Sequence, residues 1–151
     1  MSASPSALFV GVSDLPTNNP FHVGPGHPGI HALSLSTGEI LWRKDLSDQC
    51  EESRFLCWHG ISAAVSSAED LVFAGGLDGI LRAFDPESGD ILWQTATLQS
   101  FGTPNGVEAR GGAIEADGPV LVGGEVFVTS GYDKWNEAPG NVLLVYSLNG
   151  Q

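Results

Sequence analysis

Short apolar runs recur along the chain, each closed by small residues and an aspartate: ALFVGVSD at 7–14, LVFAGGLD at 71–78 and EVFVTSGYD at 125–133. Runs rich in Val and Phe that end in this way predict a strand entering a turn at Asp14, Asp78 or Asp133. A second segment follows each. It is GIHALSLSTGEILWR at 29–43, GILRAFDPESGDILWQ at 79–94 and, incompletely, GNVLLVYSLNG at 140–150. Trp42 and Trp93, Gly38 and Gly89, Ala32 and Ala83, and Leu33 and Phe84 each lie 51 positions apart, and Tyr146 takes the place of Phe84 in the third copy. In Ser36-Thr37-Gly38-Glu39 and Glu87-Ser88-Gly89-Asp90 the glycine supplies the positive φ that a tight hairpin demands.

A further apolar stretch, Ile61 to Val65 in one copy and Pro119 to Val122 in the next, precedes the first strand. The unit is therefore four short antiparallel strands in about 50 residues, repeated in tandem, which is the pattern of a β-propeller blade. The expected fold is all-β. About three blades, at roughly 7–46, 58–98 and 110–151, account for the chain. The first is expected to lack its innermost strand and the last its outermost, leaving the arc incomplete at both ends. Uncovered sheet edges favour association. The expectation is therefore a piece of a longer chain, or a chain that assembles with the remaining blades or with another copy of itself.

Composition agrees and narrows the partners. Charged residues are 16% of the chain, and Gly (20) and Pro (9) are abundant, a balance suited to strands and turns. A formal charge of −12 leaves no surface to neutralise phosphates, so nucleic acid is excluded as a partner. No run approaches the roughly 20 apolar residues that span a bilayer, so no membrane insertion is expected, and the first residues have no signal-peptide pattern. Cys50 and Cys57 lie seven apart in CEESRFLC. They are either two separate thiols or a local disulfide formed in an oxidising compartment.

The pattern A-[FL]-[DS]-x-x-[ST]-G-[ED]-I-L-W, carried by Ala32 to Trp42 and Ala83 to Trp93, resembles the pyrroloquinoline quinone (PQQ) enzyme repeat. That resemblance makes Trp42 and Trp93 structural, each docking one blade on the next. Residues 105–150, with N-G-V-x-A-R-G-G and S-G-Y-x(7)-G-N-V-L-L, and the preceding AGGLDGILRAFDPESGDILW are similar to the end of the polyvinyl alcohol dehydrogenase family. The resemblance implies an eight-bladed periplasmic or secreted quinoprotein that oxidises a small-molecule or polymer alcohol through PQQ, with calcium alongside in the full-length protein. It also implies that the catalytic carboxylate and metal ligands lie upstream, so that this chain alone is inactive. The competing expectations are a non-catalytic binding or assembly scaffold, as in outer-membrane assembly lipoproteins with this repeat, and an inactive truncated remnant.

Two segments precede inner strands, where a ligand at the axial channel would meet them: Cys57-Trp58-His59-Gly60 and Glu108-Ala109-Arg110-Gly111-Gly112. Arg110 is suited to bind a quinone carboxylate in bidentate fashion, or to fix a blade junction through a neighbouring acid. Gly111 and Gly112 would admit a close approach of backbone to cofactor. Trp58 is suited to stack on a flat ring or to pack between blades. His59 is suited to accept a proton or hydrogen-bond the cofactor, or to pack within its loop. No metal ligand is assigned: the tract with His22, His27 and His31 lacks rigid geometry, and Asp133, Asn136 and Glu137 lack the order of a calcium loop.

Overall fold

The structure, a computed structural model, describes residues 1–13, 25–46, 57–115, 117–132 and 137–147, and every regular element among them is a β-strand. The first sheet comprises β1 (Ser2–Ala3), β2 (Ala7–Val12), β3 (Gly29–Ser34) and β4 (Ile40–Asp45), and the second β5 (Ser66–Ser67), β6 (Val72–Gly75), β7 (Ile80–Phe84) and β8 (Ile91–Ala96). A two-stranded hairpin, β9 (Ser100–Phe101) with β10 (Ala109–Arg110), precedes a third sheet of β11 (Val120–Val122), β12 (Glu125–Ser130) and β13 (Val142–Ser147). In each of the three sheets, strands adjacent in sequence are antiparallel neighbours. These are the blades that the repeat predicts, in an arc that is not closed.

Two local expectations are corrected. The first sheet does have an innermost strand, because a tight turn in which Ser4 N–H donates to Ala7 O lets two residues, Ser2 and Ala3, pair with Phe9 and Leu8. In the second sheet the innermost strand is Ser66–Ser67, after the Ile61 to Val65 stretch. Ile61, Ala63 and Val65 are instead buried in an extended strap whose intervening residues, Ser62 and Ala64, are exposed. The β9–β10 hairpin lies outside the four-strand pattern read from the sequence, and its apolar content is too small to announce it.

The two β3–β4 and β7–β8 turns form as their residues dictate. Gly38 and Gly89 both have φ of 75°, and both hairpins carry a register shift at the equivalent step, Ala32/Leu33 and Ala83/Phe84. In the second turn the Asp85 carboxylate accepts the Glu87 and Ser88 N–H groups at 2.7 and 3.0 Å. Those bonds hold its pKa below the ordinary 3.8. A depressed carboxylate contributes stability that is present above its unfolded pKa and is lost as pH falls through the folded value. The stability difference between wild type and Asp85→Ala should therefore shrink between about pH 6 and pH 2, followed by urea denaturation. A difference that stays constant across that range would rule out this role.

Packing between sheets follows from strand alternation. Phe9, Ile30 and Ala32 of the first sheet meet Val72, Ala74 and Phe84 of the second, with Ile61 and Val65 of the strap between them. Leu81 of the second sheet joins Ile114, Val128, Val142 and Leu144 in the next core. The first strands of the three blades lie side by side. Ser2 Oγ is 2.5 Å from Ser67 Oγ, and the Ser66 hydroxyl donates to Pro119 O. This is the arrangement of blades around a common axis.

Candidate functional site

The turns between second and third strands, and the straps that carry the chain from one blade to the next, meet at one end of the blades. In the second blade the Gly76–Gly79 turn is held on both sides: Leu77 N–H donates to Gly60 O, Ile114 N–H to Gly76 O, and Thr97 N–H to Gly79 O. The Trp58-His59-Gly60 segment and the Arg110-Gly111-Gly112 segment therefore flank the same turn.

Arg110 is exposed, but its backbone is fixed. Its N–H donates to Asn141 Oδ1 at 2.9 Å, and its carbonyl accepts the Asn141 N–H at 2.8 Å. The two motifs on which the resemblance rests thereby meet, one carrying Arg110 and the other Asn141. Gly131 N–H also donates to Ala113 O, Ala113 N–H to Ala138 O, and Gly140 N–H to Gly131 O. At this junction Gly111 and Gly112 are buried. Gly111 N–H donates to Gln99 O, and Gly112 N–H donates to Ser130 Oγ at 2.9 Å. A Cβ on Gly112 would run into the Ala138 carbonyl, and one on Gly111 into the Thr97 carbonyl. Both amides are thus engaged within the chain, and the missing side chains admit backbone rather than open space. Glu108, two residues before Arg110, is exposed.

The buried hydroxyls of Thr97 and Ser130 lie 2.8 Å apart, and both lie within bonding distance of Gly112 O. Thr97 Oγ1 also lies 2.9 Å from Gly79 O. Two hydroxyl protons are shared among these acceptors, which satisfies polar groups that would otherwise be costly to bury.

Trp58 is exposed and His59 half-buried. His59 Nδ1 is enclosed without a hydrogen-bond partner among the described residues, so it has capacity to accept or donate one bond. Cys57 has no free thiol, while Cys50 lies outside the described residues. His27 Nδ1 is 3.0 Å from Asp45 Oδ2, and His31 Nε2 is 3.1 Å from His27 O. His22, Asp133 and Asn136 lie outside the described residues, and Glu137 is buried. Among the described residues no three of His, Cys, Asp and Glu come together as metal ligands.

A second charged feature escaped sequence reasoning. Arg82 is 0% exposed, and its guanidinium donates to Asp78 Oδ1 and Oδ2 at 3.2 and 2.5 Å. Asp78 Oδ1 also accepts the Ile80 N–H at 3.1 Å, so the pair fastens the Gly76–Gly79 turn. The signal was present in GILRAFD, where an arginine stands at the strand position that His31 and Leu144 fill in the other copies.

The tryptophans dock blades. Trp42 Nε1 donates to Pro86 O of the second blade at 3.0 Å, and its ring lies over Gly89, where a Cβ would strike it. Trp93 packs edge-on to Tyr146 of the third blade, ring centroids 5.4 Å apart. Beside that pair a cavity of about 580 Å³ opens between the second and third sheets, lined by Phe73, Leu92, Leu121 and Val126 among others. Burial holds the Tyr146 phenol above its ordinary pKa of 10, against a hydrogen bond with Thr95 that lowers it.

This chain is similar to several known proteins. The polyvinylalcohol dehydrogenase of a Pseudomonas sp. is 32% identical over 161 residues, covering 100% of this chain and 24% of that protein. That of Sphingopyxis sp. strain 113P3 is also 32% identical, covering 99% of this chain and 24% of its own length. The chain thus spans about a quarter of these relatives. The crystal structure of BamB from Moraxella catarrhalis superposes with a TM-score of 0.51 at 16% identity, over 81% of this chain and 32% of that one, which supports the propeller fold. Among the described residues no helix is long and apolar enough to cross a membrane. Residues 17–104, more than half of the chain, match the family described as outer membrane protein assembly factor BamB, and the chain belongs to this PQQ-repeat β-propeller family.

Proposed function

We propose that this chain forms blades of a quinoprotein dehydrogenase that oxidises an alcohol or polyol, with Arg110 presenting its guanidinium to a carboxylate of PQQ. The observation that carries the proposal is the similarity to polyvinylalcohol dehydrogenases over the whole chain, in contrast to a shared repeat alone. PQQ supplies a two-electron oxidant with three carboxylates on a flat ring system. The groups at the strap end of the blades fit such a ligand in kind: an exposed guanidinium on a clamped backbone, an exposed indole at Trp58, and a half-buried imidazole at His59. Arg110 would neutralise a carboxylate, Trp58 would cover the ring, and His59 would accept a proton or hydrogen-bond the cofactor. Glu108 beside Arg110 would limit its swing, and Gly111 and Gly112 would set the strap close enough to the third blade to aim it. Calcium, where the complete enzyme uses it, takes its ligands from other residues. A Cys50–Cys57 disulfide and a periplasmic or secreted location belong to the same proposal.

The test is PQQ binding to the protein that contains this chain, followed by tryptophan fluorescence. Arg110→Ala should weaken binding by about 10- to 100-fold, the equivalent of one charge-assisted hydrogen-bonded pair. Unchanged affinity, or no binding by wild type, sinks the proposal.

A second reading is a non-catalytic assembly scaffold, favoured by the description of the matching family and by the structural likeness to BamB. It predicts partner binding that Arg110→Ala leaves untouched.

A further inference from the structure

Arg110 has a free end and a fixed end. Its guanidinium has no ion-pair or hydrogen-bond partner among the described residues, and Glu108, two positions away, is not its counter-ion. Its main chain belongs to a weak element. β10 is only Ala109–Arg110, paired with Phe101 and Ser100 of an equally short β9, and a two-stranded hairpin of this size does not hold itself together in water. Toward β9 the next amide, that of Gly111, donates to Gln99 O. The Arg110 N–H and C=O meet Asn141 instead, the residue before β13. Asn141 Oδ1 accepts the Arg110 N–H at 2.9 Å, and the Asn141 N–H donates to Arg110 O at 2.8 Å. Both main-chain polar groups of the arginine are thereby held by one residue of the third blade.

Two glycines bring Asn141 within reach. Gly131, at the end of β12, has φ of 91°, and a Cβ there would strike the Gly140 backbone. A Cβ on Gly140 would in turn strike the Arg110 carbonyl. Gly140 N–H donates to Gly131 O at 2.7 Å, which fixes the approach. Asn141 itself is exposed, as is Arg110, so core packing does not account for its side chain.

We propose, resting on the reading of Arg110 as the partner of a PQQ carboxylate, that Asn141 is the positioning residue for its guanidinium. By holding the Arg110 N–H, Asn141 Oδ1 fixes the direction in which the side chain leaves the strap. Backbone freedom that is lost only when a ligand binds is subtracted from affinity, and a clamp that removes it beforehand restores that loss. Asn141 touches no ligand and acts through Arg110 alone. Its effect on binding therefore vanishes when the guanidinium is gone.

The test is a double-mutant cycle on PQQ binding to the protein that contains this chain, read by tryptophan fluorescence. Asn141→Ala should weaken binding by about 3- to 10-fold, the equivalent of one neutral hydrogen bond. Where Arg110→Ala is already present, the same change should cost less than about twofold. Asn141→Asp keeps an acceptor for the Arg110 N–H, and in that background Arg110→Ala should retain its full effect. A loss from Asn141→Ala that is the same with and without Arg110 overturns the proposal, because Asn141 would then act on the fold or on the ligand directly. Loss of the native circular dichroism spectrum in Asn141→Ala overturns it as well, since the residue would then hold the fold rather than aim the arginine. An Arg110→Ala variant that binds PQQ as tightly as wild type overturns the reading of Arg110 and this inference with it. If Arg110→Ala weakens binding and Asn141→Ala does not, this inference alone falls.

Discussion

Replacing Arg82 by methionine should lower the stability of the chain by about 3–5 kcal/mol, the cost of stranding one member of a buried ion pair. Asp78 would keep a carboxylate at 2% exposure with the Ile80 N–H as its remaining donor among the described residues. Asp78→Asn should be damaging for the converse reason, because a buried guanidinium would lose the negative charge of Asp78. Replacing both members together, Asp78→Asn with Arg82→Met, should cost much less than the sum, since no charge then remains to be solvated. Urea unfolding of the three variants measures this directly. A loss below about 1 kcal/mol for Arg82→Met would place the pair with ordinary surface bridges and refute its role in fastening the Gly76–Gly79 turn.

The second large effect is expected at Trp42. Truncation to alanine removes the hydrogen bond to Pro86 O, the ring contact over Gly89 and the contact with Phe9, whose ring centroid is 6.0 Å away. A fully enclosed tryptophan costs roughly 3–5 kcal/mol to truncate. Trp42 is half-buried, so about 3 kcal/mol is expected. Trp93, 40% exposed and packed edge-on to Tyr146, should cost visibly less as Trp93→Ala. Thermal melts of the two variants test the order. Equal losses would show that the Pro86 bond and the Gly89 contact contribute nothing specific.

The difference between these two tryptophans shows how far a repeat can be read. Both stand at the same position of the same pattern, and from sequence both are docking residues. Only the packed structure shows Trp42 engaged by hydrogen bond and glycine together while Trp93 borders a cavity. Arg110 shows a similar divide. Its charge and the glycines after it mark it as a candidate, but Asn141, which clamps its backbone, lies 31 positions away in a separate motif, and nothing local shows that the two meet. Gly111 and Gly112 announce a close approach of something. What approaches, the Ala138 and Thr97 carbonyls, is decided by which strap lies against which turn.

The amino-acid sequence by itself determined the parts whose causes are local. These are the Val- and Phe-rich strands, the Gly38 and Gly89 turns that only a positive φ closes, and the tandem period that makes each blade a copy of the last. Tertiary structure decided everything that depends on residues distant in the chain. It placed the two-residue β1 as a true inner strand, turned Ile61 to Val65 into a strap, and buried Arg82 against Asp78. The physical reason is the range of the forces involved. Turn geometry and strand alternation are settled within a few residues, whereas burial and hydrogen-bond pairing are settled only when remote segments come together and water is excluded between them.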